Sequence, residues 1–388
     1  MKRTKQGYSS SKNEKAIYSK YNLTSIILII SLFVTTSCGK DQPESPSLKD
    51  DISNQDYVEI LEEFLSDIPE NTEVAVALLD GNTTEYIGVH KDNNVLRGIS
   101  NSDRIFEIGS ITKTFTSVCL SHLIASGEAT LEETLQSQFD FPFLEGSTIN
   151  LRHLANHTSG LPDLPDNSDE IVNYDENDPF ATYSVQNLES YLKSHVMLDA
   201  PTGSTFSYSN LGAGILGYIL SSKRGSTYEE MIQQLILQPL RMNNTTSLLS
   251  EVDDSKLVDA LDGNGNPGYN WNFSEVAAGT GSIKSSVADL EKYARKNMED
   301  DVIYNLPQAS TYEVQEGFTM GLGWQIIQAG ELELLTHSGA TGGYTSMLVI
   351  DKENQRAAIV LSNVSAFNPD VQNIPELALE FIGYLTYR

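Results

Sequence analysis

The sequence predicts an α/β (α+β) fold in which one antiparallel sheet, flanked by helices, carries an inserted all-helical lobe. Three observations lead there. Strand-like runs gather at the two ends of the chain, the middle reads as helices and long loops, and no internal repeat interrupts that order. A sheet fed from both termini around a helical insert is an α+β arrangement.

Taken in order, Tyr57–Leu65 has helical periodicity, and Glu73–Leu79 and Thr84–His90 read as strands. From about Ser110 to Ser274 helices alternate with long loops. The first helix opens at a Gly-Ser turn, carries Phe115, Val118, Leu120, Leu123 and Ile124, and stops at Gly127. Another runs from Leu211 to about Leu220. Strands return at Phe318–Gln328, Glu331–Thr336, Thr345–Ile350 and Arg356–Ser362, and Ile374–Tyr387 closes the chain as an apolar-periodic helix. The folded part, residues 57–388, divides into an α/β lobe (57–109 and 275–388) and a helical lobe (about 110–274).

The N-terminus reads as a lipoprotein signal peptide over residues 1–37. Lys2, Arg3, Lys5, Lys12, Lys15 and Lys20 precede apolar Ile26–Val34, a run too short to span a bilayer. Thr35-Thr36-Ser37-Cys38 then resembles a lipobox, so Cys38 is the expected lipidation site. Residues 38–56 read as a flexible, acidic tether. These features place the protein in the cell envelope, on the periplasmic side or the cell surface, touching the membrane through a lipid anchor only. Lipidation of Cys38 leaves Cys119 without a disulfide partner, and Cys119 reads as a small core residue.

A chain of 388 residues, 39% hydrophobic, can bury a large core. Its net charge is −28, and removing the segment before Cys38, which holds six Lys/Arg and one Glu, lowers that by five to −33. Nucleic-acid partners are excluded, because phosphates need a basic face.

Three short motifs carry the chemistry. Ser110-Ile-Thr-Lys113 puts a hydroxyl and an amine on one helix face, within reach of each other. An unprotonated amine there can activate the serine without a histidine. The same spacing occurs at Ser9/Lys12, Ser37/Lys40 and Ser190/Lys193, and by spacing alone Ser110 could equally be an N-cap. Tyr208-Ser209-Asn210 precedes a helix of small and apolar residues; Tyr208 could instead be a half-buried aromatic with its hydroxyl satisfied. His337-Ser338-Gly339-Ala340-Thr341-Gly342-Gly343-Tyr344 reads as a connection between two strands, open to close approach by a substrate backbone, or as a plain glycine turn.

With all three in this order, the chain resembles the serine β-lactamase and penicillin-binding family, in its class C β-lactamase, D-alanyl-D-alanine carboxypeptidase and esterase branch. The resemblance runs from about Tyr57 to Leu385. It includes Leu151-Arg-His-Leu-Ala-Asn-His157-Thr-Ser-Gly160-Leu-Pro162, Gly321-Leu-Gly-Trp324, and Ala288-Asp289-Leu290 in a helix that a Ser286-x-x-Asp289 box would cap. It implies a β-lactamase/transpeptidase-like fold and an acyl-enzyme mechanism. In that mechanism Ser110 attacks, Lys113 is general base, and Tyr208 relays protons to and from the leaving group. Asn210 holds Lys113 or the substrate amide, and the N–H groups of Ser110 and Ala340 form the oxyanion hole. His337, Ser338 and Gly339 would line the substrate, with His337 and Ser338 placed to bind a carboxylate.

Class C β-lactamases have Lys-Thr-Gly where this chain has His337-Ser338-Gly339. The histidine resembles the carboxypeptidase, D-aminopeptidase and some esterase members, and as a group that titrates near neutrality it should make the charge of the site depend on pH. The resulting expectation is a serine hydrolase, first a D-alanyl-D-alanine carboxypeptidase-like peptidase acting on D-amino-acid peptides such as peptidoglycan stem peptides. The alternatives are a broad esterase, a class C-like β-lactamase and a non-catalytic penicillin-binding sensor. No cofactor or metal is expected. His153-x-x-x-His157 has zinc-like spacing without a further cluster of ligands, and there is neither a Gly-x-Ser-x-Gly elbow nor a phosphate loop. The loops Asp163–Tyr183 and Asn264–Glu275 are expected to overhang the site.

Overall fold

The structure, a computed structural model, describes residues 47–167 and 170–388. The leader, Cys38 and the first part of the tether lie outside the described residues. Eleven strands are described: β1 (Glu73–Asp80), β2 (Thr83–Asp92), β3 (Val95–Ile99), β4 (Phe106–Glu107), β5 (Lys284–Ser285), β6 (Tyr312–Gln315), β7 (Phe318–Met320), β8 (Gln325–Ala329), β9 (Leu332–Ala340), β10 (Thr345–Asp351) and β11 (Arg356–Ser362). Nine form one antiparallel sheet in the order β3-β2-β1-β11-β10-β9-β8-β7-β6, and β4 pairs with β5 separately.

The join between the two ends of the chain is the β1–β11 pair, in register from Val74↔Ser362 to Asp80↔Arg356. Both strands, with β10, are apolar at nearly every position because each is buried on both faces. On one face lie α1 (Leu48–Asp51), α2 (Gln55–Leu65) and the C-terminal helix Asn373–Tyr387, where Tyr57 meets Phe381 and Tyr384 edge-on. Against the other face packs the helical lobe. Its centre is α3 (Thr112–Ala125), a helix buried on nearly every side, with the Phe115 ring stacked on Tyr293 at 3.8 Å. Around it stand α4 (Leu151–Ala155), α5 (Val185–Ser194) and α6 (Asn210–Arg224). No helix among the described residues is long and apolar enough to cross a membrane.

Four expectations are corrected. The folded domain begins at Leu48 rather than Tyr57: Leu48 is 1% exposed in the core, and the Asp51 carboxylate accepts the Gly98 N–H at 2.9 Å. The run 318–328 is two strands, broken where Gly323 takes a φ of +69° against the Lys113 carbonyl. Strands β3, β4, β5 and β6 lie outside the runs read as strands. Finally, β9 extends to Ala340, so the His337–Ala340 motif is strand, and the turn is confined to the residues between Ala340 and Thr345.

The expected cap at Ser286 is present in half. Its hydroxyl accepts the Asp289 N–H at 3.2 Å, but the Asp289 carboxylate turns away to the Asn244 N–H and the Thr245 hydroxyl. Cys119 is free and fully buried.

Candidate active site

Ser110 sits in a short 3-10 turn, Gly109–Ile111, that feeds α3. It does not act as a cap, since neither the turn nor the helix has a side-chain cap. Gly109 has a φ of +49°, and a side chain there would lie 2.6 Å from the Ala340 nitrogen. A Cβ on Gly339 would lie 1.9 Å from the Ile108 carbonyl oxygen. The small residues of the third motif therefore admit the chain's own Ile108–Gly109 segment, where the sequence suggested a substrate backbone. This docking sets the Ser110 and Ala340 backbones side by side. β8 pairs with β9 only as far as Thr336, leaving His337–Ala340 as a free edge on that side among the described residues.

One turn along α3, the Lys113 amine lies 2.9 Å from Ser110 Oγ, 2.8 Å from Asn210 Oδ1 and 2.8 Å from the Thr280 carbonyl oxygen. The Tyr208 hydroxyl lies 2.8 Å from the same Ser110 oxygen. Two of the three amine partners are pure acceptors. A neutral amine spends its two N–H bonds on Asn210 and Thr280 and keeps its lone pair for the one partner with a proton to give, Ser110. Burial without a full counter-charge pulls the Lys113 pKa down to about 7, with the nearby Asp163 carboxylate opposing. Near neutral pH a large fraction of this lysine is a free base.

Tyr208 and Asn210 are placed by the start of α6. Ser209 is its N-cap, accepting the Gly212 N–H at 2.9 Å while donating to the Pro162 carbonyl at 2.7 Å. His157, at a φ of +59°, accepts the Ser209 N–H on Nδ1 and stacks on Tyr208. His157 thereby orders the neighbouring motif. His153 accepts the Asn150 N–H in a capping box at the start of α4, a structural task.

His337 is 1% exposed and projects from β9 toward the helical lobe, as does Gly339; Ser338 and Ala340 flank the free edge from the other face. Its Nδ1–H donates to the Ser338 carbonyl at 2.7 Å. Burial, helped by the Lys113 charge, pulls its pKa down to about 3. This corrects the expected titration near neutrality: desolvation keeps the imidazole neutral, so the charge of the site near pH 7 is set by Lys113.

Four contributors were not visible as site residues in the sequence. Thr280 offers only its carbonyl to Lys113, while its hydroxyl donates to the Asn210 carbonyl at 2.8 Å. Asp163 lies in an acidic run but turns inward to accept the Asn210 N–H at 3.0 Å. Glu107 and Lys284, both buried and facing each other across β4–β5, grip the Trp271 backbone: Glu107 takes its N–H at 2.7 Å and Lys284 donates to its carbonyl at 3.0 Å. The Trp271 indole then fills the space that a side chain on Gly342 would need.

The two loops expected to overhang the site are clasped together. Asn272 pairs through its backbone and its side-chain amide with both oxygens of Asp178, and Phe180 stacks on Phe273 at 5.1 Å. Phe273 in turn packs against Gly281, which borders Gly109.

A large antiparallel sheet joined to a helical lobe, with a hydroxyl, a buried amine and a phenol converging at the start of one helix, defines a serine hydrolase. The chain belongs to the beta-lactamase family, whose profile matches residues 61–381. It is 26% identical over 342 residues to the D-alanyl-D-alanine-carboxypeptidase/endopeptidase AmpH of Escherichia coli K12, covering 80% of this chain and 85% of that one. Among solved structures, the beta-lactamase/D-alanine carboxypeptidase of Yersinia pestis matches with a TM-score of 0.70 at 21% identity, covering 85% of this chain and 98% of that one. A class C beta-lactamase mutant matches with a TM-score of 0.68 at 16% identity, covering 86% and 98%.

Proposed function

We propose that Ser110 is the nucleophile of an acyl-enzyme hydrolase, and that its preferred substrate is a D-amino-acid peptide of the D-alanyl-D-alanine type. The observation that carries this reading is the Ser110 oxygen held at 2.9 Å from the Lys113 amine and 2.8 Å from the Tyr208 hydroxyl, with that lysine titrating near 7. Lys113 takes the Ser110 proton as the oxygen attacks the carbonyl. The oxyanion sits between the N–H groups of Ser110 and Ala340, and Tyr208 delivers a proton to the leaving amine. Water then releases the acyl group by the reverse proton traffic. The name of the Escherichia coli relative supports the peptidase choice.

The experiment is the intact mass of the domain followed over time with a penicillin, beside Ser110→Ala. An adduct that persists and needs Ser110 supports the peptidase reading. Free penicillin left intact with no adduct redirects the assignment to an esterase, and consumption of the penicillin makes the enzyme a β-lactamase. Hydrolysis of every acyl substrate unchanged by Ser110→Ala would sink the mechanism itself.

The esterase reading is favoured by one observation: His337 is neutral, so the strand edge offers no permanent cation for a substrate carboxylate. It predicts brisk turnover of short acyl esters and neglect of D-alanyl-D-alanine peptides. The leader and Cys38 support attachment to the cell envelope by a lipid anchor. Replacing Cys38 with serine would release the protein from the membrane fraction if that holds.

A further inference from the structure

Among the described residues, Asp163 is the one carboxylate turned into the cluster. Its oxygen accepts the Asn210 backbone N–H at 3.0 Å, and its own carbonyl accepts the Leu211 N–H at 2.9 Å. An amide has a donor end and an acceptor end. With its backbone anchored on Asp163, Asn210 presents its oxygen to the Lys113 amine at 2.8 Å. A flipped amide would set N–H bonds against the N–H bonds of the amine. The Lys113 contact thus calls for the oxygen end, and Asp163 fixes the backbone that carries it.

Among the described residues, six other groups face Lys113. They are the Ser110 hydroxyl, the Thr280 carbonyl of the helical turn Ala278–Gly281, Tyr208 and Asn210 at the start of α6, His157 from the loop after α4, and His337 from β9. Both histidines are held neutral by burial, and a positive charge on either would be repelled by Lys113. Asp163 is therefore the counter-charge available to the amine from its surroundings.

We propose that Asp163 is a positioning residue for the reaction: it anchors the start of α6 at Asn210 and Leu211 and places a negative charge near the Lys113 amine. This rests on the reading of Lys113 as the base. Its consequence has a definite sign. An adjacent negative charge favours the protonated amine, so Asp163 holds the acid limb of activity at a higher pH than burial alone would give. The carboxylate trades some free base at neutral pH for a fixed partner geometry.

The test is the pH profile of kcat/KM for Ser110-dependent hydrolysis of a chromogenic acyl ester by the wild type, Asp163→Asn and Asp163→Glu. Asp163→Asn is expected to move the acid limb down by about one pH unit, and Asp163→Glu to leave it near the wild-type position. An unmoved limb in Asp163→Asn, whatever the loss of rate, overturns the proposal and leaves Asp163 a structural loop residue. If Asp163→Asn does not fold, the wild-type protein decides: the side-chain 15N resonance of Lys113 should show a second inflection where Asp163 titrates, and a single inflection overturns the proposal. Hydrolysis that survives Ser110→Ala, by contrast, would strike at the catalytic reading rather than at Asp163.

Discussion

His157 lies against the ring of Tyr208, with centroids 4.4 Å apart and 29° between the planes, and its Nδ1 accepts the N–H of the next residue, Ser209. The imidazole is fully buried, so the phenol that reaches Ser110 rests on a rigid, apolar-faced plate. Accepting through Nδ1 leaves the proton of the neutral ring on Nε2.

Removing that plate should loosen the phenol without touching the nucleophile. His157→Leu is expected to lower kcat by about 10- to 100-fold with little change in KM, because misplacing a catalytic group by a fraction of an ångström acts on the transition state. Steady-state kinetics on a small ester measure it. An equal loss carried entirely by KM would assign His157 to substrate binding.

The titration of Lys113 predicts the shape of the pH profile. The amine acts as base only when unprotonated, so kcat/KM should rise with pH and level off above an inflection near 7. A rate already flat from pH 5 would mean that the amine is never protonated in that range. A rate still climbing at pH 9 would mean that burial lowers its pKa far less than the geometry implies.

His337 and His157 should leave their mark on stability. Both are depressed in the folded protein, so the unfolded chain takes up protons first. Their contribution is complete above the unfolded histidine value of about 6.5 and is lost progressively as pH falls below it. Tm should therefore drop between about pH 6.5 and 5, and His337→Gln should flatten part of that slope. Thermal unfolding at a series of pH values reads this directly.

The boundary at Leu48 can be tested by trimming. A chain starting at Leu48 should keep the Tm of one starting at Gly39, whereas a chain starting at Tyr57 should unfold at lower temperature. Leu48→Ala should cost about 2–5 kcal/mol for the cavity it leaves in the core. Equal Tm values for all three lengths would show that α1 adds nothing.

Ser110, Lys113, Tyr208 and Asn210 are legible through the three motifs taken together and the family resemblance they carry, since spacing alone leaves Ser110 a possible N-cap. The sequence announced the central strands too, since β1, β10 and β11 carry apolar runs through their middles. Other parts depend on partners distant in the chain. Thr280 acts through a carbonyl that any residue carries, and Asp163 looks like its solvated acidic neighbours until the start of α6 arrives beside it. His337 has the composition of a neutral-pH switch, but its burial between β9 and the helical lobe decides otherwise. Strand β3 is half-buried at every position, so neither alternation nor an apolar run marks it. Helix α1 is a single turn, too short for periodicity to reveal.

The pairing of β1 with β11 also governs when this protein can fold. Residues 74–80 must wait for residues 356–362, so the sheet cannot close until the roughly 275 residues between them have emerged. Contacts so far apart in sequence make for slow folding, because the loop between them is closed before the pairing stabilises anything. A chain that lacks either strand therefore lacks the pair that joins the two parts of its sheet.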